Sequence, residues 1–178
     1  MRTDSKKIAL CGLTAALSVV ILLMGFLFPF ATYACPAAAA CLILPIVYEY
    51  KEKTAFTLYA AISFLAFFLV PDKELTFMFV FVFGLYTVIK FSIDRKKSKV
   101  LKLILKLCYV NCSLFVSYGL LLLIFPVQSL VAEFGEFGMG FIVLFMALFN
   151  VVFLLYDKAV EKVLLLYIYR FRSKIFKR

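Results

Sequence analysis

The sequence predicts an all-α polytopic membrane protein, a six-helix bundle with its N- and C-termini on the cytoplasmic side. Three observations point there. Of 178 residues, 66% are hydrophobic and 17% charged, against roughly half and a quarter in a soluble domain. The apolar residues gather in six runs. The positive charges fall almost wholly on alternate connections between those runs.

A membrane-spanning helix needs about 20 apolar residues, within a range of roughly 17–25. The runs are 8–30, 33–48, 54–70, 75–93, 100–125 and 138–156, the second and third being the shortest. None shows the polar–apolar alternation of a barrel strand, and an open sheet edge is not viable in lipid. The breaks agree with the count. Glu49-Tyr50-Lys51-Glu52-Lys53 ends the second run and Pro71-Asp72-Lys73-Glu74 the third, where Pro71 cannot continue a helical ladder. Residues 94–99 form a charged turn, and 126–137 contains Gln128, Glu133, Gly135 and Glu136.

With the N-terminus inside, segments 1–7, 49–53, 90–106 and 157–178 hold 3, 2, 7 and 7 Lys or Arg, 19 of the 20 present. Only Lys73 falls outside, as the positive-inside rule requires. The net charge of +10 is thus a basic cytoplasmic face suited to anionic membrane lipids, with no nucleic acid expected as partner. The first run, about 23 residues long, exceeds the 7–15 residues of a signal-peptide core and is expected to remain a bundle helix. Residues 1–157 form the transmembrane domain. Residues 158–178 form a basic amphipathic tail, with Val160, Val163, Leu164, Tyr167, Ile168 and Phe171 at helical spacing. It either extends the sixth helix or lies on the inner leaflet.

The chain contains no His and no Trp, which removes Ser-His-Asp and Cys-His catalysis and His-ligated metals. Gly135, Gly138 and Gly140 follow no strand, so they do not read as a phosphate loop. We therefore expect no enzyme and no cofactor. Cys11, Cys35, Cys41, Cys108 and Cys112 read as small packing residues.

Polar groups at membrane depth mark helix contacts or a site. Asn111 lies about 11 residues into the fifth run and Asn150 about 12 into the sixth. The two runs are antiparallel, so the amides reach similar depth and are expected to face protein. They serve as glue between helices, facing each other in one arrangement, or as a ligand contact. Tyr118 lies seven residues beyond Asn111, on the same face and nearer the outside. With Tyr33, Asp72, Lys73, Glu74, Glu133 and Glu136 it makes up a candidate outward-facing pocket rim, to which Asn111 and Asn150 add deeper contacts. Lys90 and Asp157, at the inner ends of the fourth and sixth helices, are free to pair, although nothing in the sequence requires it.

The first helix opens Ala9-Leu10-Cys11-Gly12-Leu13-Thr14-Ala15-Ala16-Leu17-Ser18. Gly12 with Ala16, and Cys11 with Ala15, are small residues four apart, which let a second helix approach closely in lipid. By this motif, its length and its six-helix topology, the chain resembles the substrate-binding S components of energy-coupling factor (ECF) vitamin transporters. The resemblance implies that Cys11, Gly12, Ala15 and Ala16 dock a transmembrane T subunit carrying ATPase subunits. It also implies that the chain takes a small-molecule vitamin or micronutrient from outside, in the cell membrane. The connection around residues 29–36 is short for that family, so loop 126–137 would serve as the lid. The same small-residue stripe and basic tail also suit a non-transporting membrane scaffold or assembly subunit.

Overall fold

The computed structural model describes residues 2–28, 31–96, 98–124 and 139–171, and all regular structure among them is helical. The elements are α1 (Arg2–Leu27), α2 (Ala34–Cys41), α3 (Leu44–Leu69), α4 (Lys73–Phe77), α5 (Leu85–Asp94), α6 (Lys99–Ile124) and α7 (Met139–Leu166). A π-helical stretch, Met78–Gly84, joins α4 to α5, and a second, Tyr167–Phe171, continues α7. Because 73–94 is one rod, the fold has six helices. Five of them are long and apolar enough to cross a membrane, consistent with a multi-pass membrane protein. Leu13, Phe26, Phe64, Phe68, Phe115 and Leu144 are exposed on the outside of the bundle, an apolar surface that lipid covers more favourably than water.

The expected helix 33–48 is broken. Pro45 has no N–H, so the Cys41 carbonyl lacks its helical donor. The chain tightens through Leu42 N–H to Ala39 O (3.2 Å) and Ile43 N–H to Ala40 O (3.1 Å) before α3 begins. Lys51 then adopts φ 68°, ψ 167°, the only positive φ of a non-glycine residue among those described. This divides α3 into 44–50 and 52–69, at the charged break anticipated at 49–53. At the other end of the chain, α7 passes Asp157 without interruption. Position 158 therefore lies inside a helix, and 172–178 lie outside the described residues.

The rod 73–94 is the hub. Its apolar window is 67% buried, against 22–28% in the other four spans. Met78, Phe79, Val82 and Tyr86 are fully buried, and α2, α3 and α6 pack on the π stretch. Two glycines allow this closeness. A Cβ on Gly25 would lie 2.5 Å from Leu75 Cδ1 and 2.8 Å from Cys35 Cβ, and one on Gly84 would lie 2.7 Å from Phe79 O. Carbonyls of the π stretch receive phenol donors from both sides, Tyr59 to Val80 O at 2.7 Å and Tyr109 to Phe81 O at 2.6 Å. Backbone groups at this depth depend on the protein for such partners.

Among the described residues, those of the basic segments meet at one end of the bundle. Lys7 Nζ sits 5.7 Å from the Tyr50 ring centroid, and Arg95 lies 3.3 Å from Glu52. At the same end a buried network ties three helices. Asp157 Oδ1 on α7 accepts from the Tyr86 hydroxyl at 2.5 Å and from Lys90, both on α5. Asp157 Oδ2 accepts from Lys106 of α6 at 2.7 Å. Lys90 also lies 3.3 Å from both Asp94 and Glu161, and Lys106 lies 3.0 Å from Asp94. The Lys90–Asp157 pair that the sequence left optional is formed, and Lys106 completes it.

Removing one partner of a buried ion pair strands the other charge and costs about 3–5 kcal/mol. Asp157→Leu is expected to lose about that much, read as a lower apparent Tm of the detergent-solubilised protein. Lys106→Leu/Asp157→Leu should recover part of the loss. An Asp157→Leu protein as stable as its parent would contradict the network's role.

Candidate functional site

At the opposite end, α3 finishes and α4 begins within a few residues, so orphan carbonyls and N–H groups abut. Asp72 caps α4 by accepting from Leu75 N–H at 3.1 Å. Lys73 Nζ donates to Phe67 O at 2.8 Å and Val70 O at 3.0 Å, closing α3. The third charge of the turn does something different. Glu74 Oε1 accepts from the Tyr33 hydroxyl at 3.1 Å and from the Tyr118 hydroxyl at 2.9 Å, and the two phenol oxygens are 3.1 Å apart. Three distant segments meet on one carboxylate oxygen: the α1–α2 connection, α4 and α6.

Each phenol has one hydrogen to donate, and when both go to Glu74 the tyrosine–tyrosine contact holds no hydrogen of its own. Glu74 Oε2 has no hydrogen-bond partner among the described residues and keeps its acceptor capacity. Phe149 of α7 stands edge-on to Tyr33, with centroids 6.0 Å apart. Beside Tyr118 a groove of about 290 Å³ runs between α6 and α7, lined by Leu114, Gly119, Phe145 and Met146 among others. Ligand sites commonly combine such an apolar wall with a few placed polar groups, at volumes from about 300 Å³ upward. The chemistry on offer is a carboxylate acceptor for a cation or an N–H or O–H donor, with an apolar trough for the attached body.

The structure thus brings Tyr33 and Tyr118 together, as expected, while Asp72 and Lys73 sit at the same end engaged as caps. Glu133 and Glu136, with the rest of loop 126–137, lie outside the described residues. Asn111 and Asn150 pair reciprocally, each Nδ2 donating to the other's Oδ1 at 3.1 Å. Each also donates to the carbonyl four residues back, Leu107 O at 2.8 Å and Met146 O at 2.7 Å. All four amide hydrogens are used inside the protein, which is the behaviour of glue between helices. On α1 the small residues divide. Cys11 and Ala15 pack partly buried against the core. Gly12 and Ala16 face outward, and a Cβ on Gly12 would meet nothing within 4 Å.

Of the three rim charges at 72–74, Glu74 is the one that meets the tyrosines. Its signal lies in Pro71-Asp72: an Asp after a proline and before an apolar run is a helix N-cap. That role commits Asp72 to the backbone and leaves Glu74 to reach the tyrosines. Among the described residues no group of three or more Cys, Asp or Glu could hold a metal ion, and all five cysteines are free thiols.

A double-mutant cycle on Asn111→Leu and Asn150→Leu is expected to give a coupling of about 0.6–2 kcal/mol in detergent unfolding. A coupling indistinguishable from zero would remove the amide pair as a helix contact. No protein-family model, curated protein or solved structure matches the chain.

Proposed function

We propose that the chain is the substrate-binding membrane subunit of a small-solute importer of the vitamin or micronutrient type, seated in the cell membrane. In this reading it docks an ATPase-coupled transmembrane partner, because the sequence contains no P-loop of its own. The observation that carries the reading is the Glu74 carboxylate held by two phenols, one of which, Tyr118, also lines an apolar groove. That end lies away from the basic segments, so the positive-inside rule places it outside the cell. The ligand this chemistry suits is a small organic molecule presenting a positive charge or a hydrogen-bond donor. The outward-facing Gly12 and Ala16 support the partner half of the reading, since open space over small residues is what a closely docking helix requires.

One observation favours a second reading, a non-transporting scaffold. The centre of the bundle is filled by Met78, Phe79, Val82 and Tyr86, leaving the ligand a groove at one end. The two readings differ at Glu74. Chain purified from its own cells should carry a co-eluting small molecule, and Glu74→Gln should weaken its retention about tenfold or more, the scale of one charge-assisted hydrogen bond. Gly12→Leu should abolish co-purification of an ATPase module and leave the ligand bound. Neither ligand nor ATPase under several growth conditions would overturn the importer. Partner loss in Gly12→Leu, with uptake of every nutrient indifferent to Glu74→Gln, would favour the scaffold.

A further inference from the structure

The break in α3 has a chemistry that neither the Glu74 site nor the charge network uses. Lys51 is held at φ 68°, ψ 167°, a region that strains a side-chain-bearing residue and persists only where surroundings enforce it. The break opens a recess of about 810 Å³ that includes Lys51, Lys53, Thr54 and Arg95. Its one carboxylate, Glu52, lies 3.3 Å from Arg95 and accepts from Ser92 at 3.1 Å. Among the described residues neither Lys51 nor Lys53 forms an ion pair, so three cations face a single acid. A second recess of about 330 Å³ shares Glu52 and Lys53 and continues along the bundle over Phe56, Val88 and Ile89. Phe56 is exposed there.

A cationic mouth joined to an apolar trough, on the surface of a helix with the composition of a membrane span, has the polarity of a lipid. We propose that this is a binding site for one anionic phospholipid, its phosphate on Lys51, Lys53 and Arg95 and an acyl chain along Phe56, Val88 and Ile89. A soluble phosphate would use the mouth alone, whereas a lipid uses both recesses. Each Lys or Arg near an anionic lipid surface contributes about 1 kcal/mol, so two cations account for roughly a tenfold or greater preference over a zwitterionic lipid. The site does not depend on the importer reading.

The test is native mass spectrometry of the full chain in neutral detergent, titrated with dioleoylphosphatidylglycerol, dioleoylphosphatidylcholine or glycerol phosphate. Phosphatidylglycerol should be retained about tenfold more tightly than phosphatidylcholine, and glycerol phosphate should neither bind nor displace it. Lys51→Gly/Lys53→Gln should lower the phosphatidylglycerol affinity about tenfold, and glycine accepts this backbone without strain. Arg95→Gln, on an exposed side chain, gives the same readout independently of the backbone. Lys158→Gln/Lys162→Gln, an equal charge change on the exposed face of α7, should leave the affinity unchanged. Equal binding of the two lipids would overturn the site. So would equal weakening by the α7 variant, which would mean diffuse attraction, or displacement by glycerol phosphate, which would mean a free-anion site.

Discussion

A buried carboxylate shared by two buried ammonium groups is the constraint on which the bundle turns. Ionised groups within a membrane-spanning helix are tolerated only when they find each other. Asp157 therefore obliges α5, α6 and α7 to meet where Lys90 and Lys106 can reach it. One such contact sets an antiparallel register. Moving five residues along α6 from Lys106 reaches Asn111, and moving seven back along α7 from Asp157 reaches Asn150, the reciprocal amide pair. Twelve residues along each helix reach Tyr118 and Phe145, which line the apolar groove. The charged lock at one end thus determines which side chains confront each other at the other end. In this sense the candidate site is a consequence of packing many residues away.

The hub 73–94 connects the two ends and explains why the bundle tolerates irregular backbone at its centre. Its π stretch is surrounded by α2, α3 and α6, and phenols from two of those helices donate to its carbonyls. Glu74 lies one residue into this hub and the Lys90–Asp94 pair closes its far end. A displacement of the hub along its axis would be felt by the tyrosine cluster and the charge network together. That continuity suits a unit that moves as one body when a ligand seats and a partner engages, the behaviour the proposed importer role asks of it.

Much of this architecture was legible in the chain, because lipid imposes length and charge rules that soluble folds lack. The breaks at Pro71 and at the 94–99 turn, the proximity of Tyr33 to Tyr118, and the facing amides follow from run length and helical register. What escaped was decided by local backbone chemistry or tertiary neighbours. The interruption near residue 42 turns on Pro45, hidden inside an apolar stretch. Lys106 reads as an interfacial cation until Asp157 is placed opposite it. Asp72, Lys73 and Glu74 are adjacent and all charged, and only the two helix ends meeting there assign capping to the first two and clustering to the third. The Gly12–Ala16 face was visible as a stripe. That it looks outward, while Cys11 and Ala15 pack inward, depends on where α2 and α3 lie.

The claim from which the rest extends is that the Glu74–tyrosine cluster opens outside the cell while every basic segment faces in. It is tested most directly by single cysteines introduced in a cysteine-free chain at Lys6, Pro71 and Lys96, all exposed positions, and probed with a membrane-impermeant maleimide. Labelling at position 71 in intact cells, with positions 6 and 96 reacting only after permeabilisation, is the predicted result. Labelling of position 6 or 96 in intact cells, or protection of position 71 until the membrane is opened, would contradict the account.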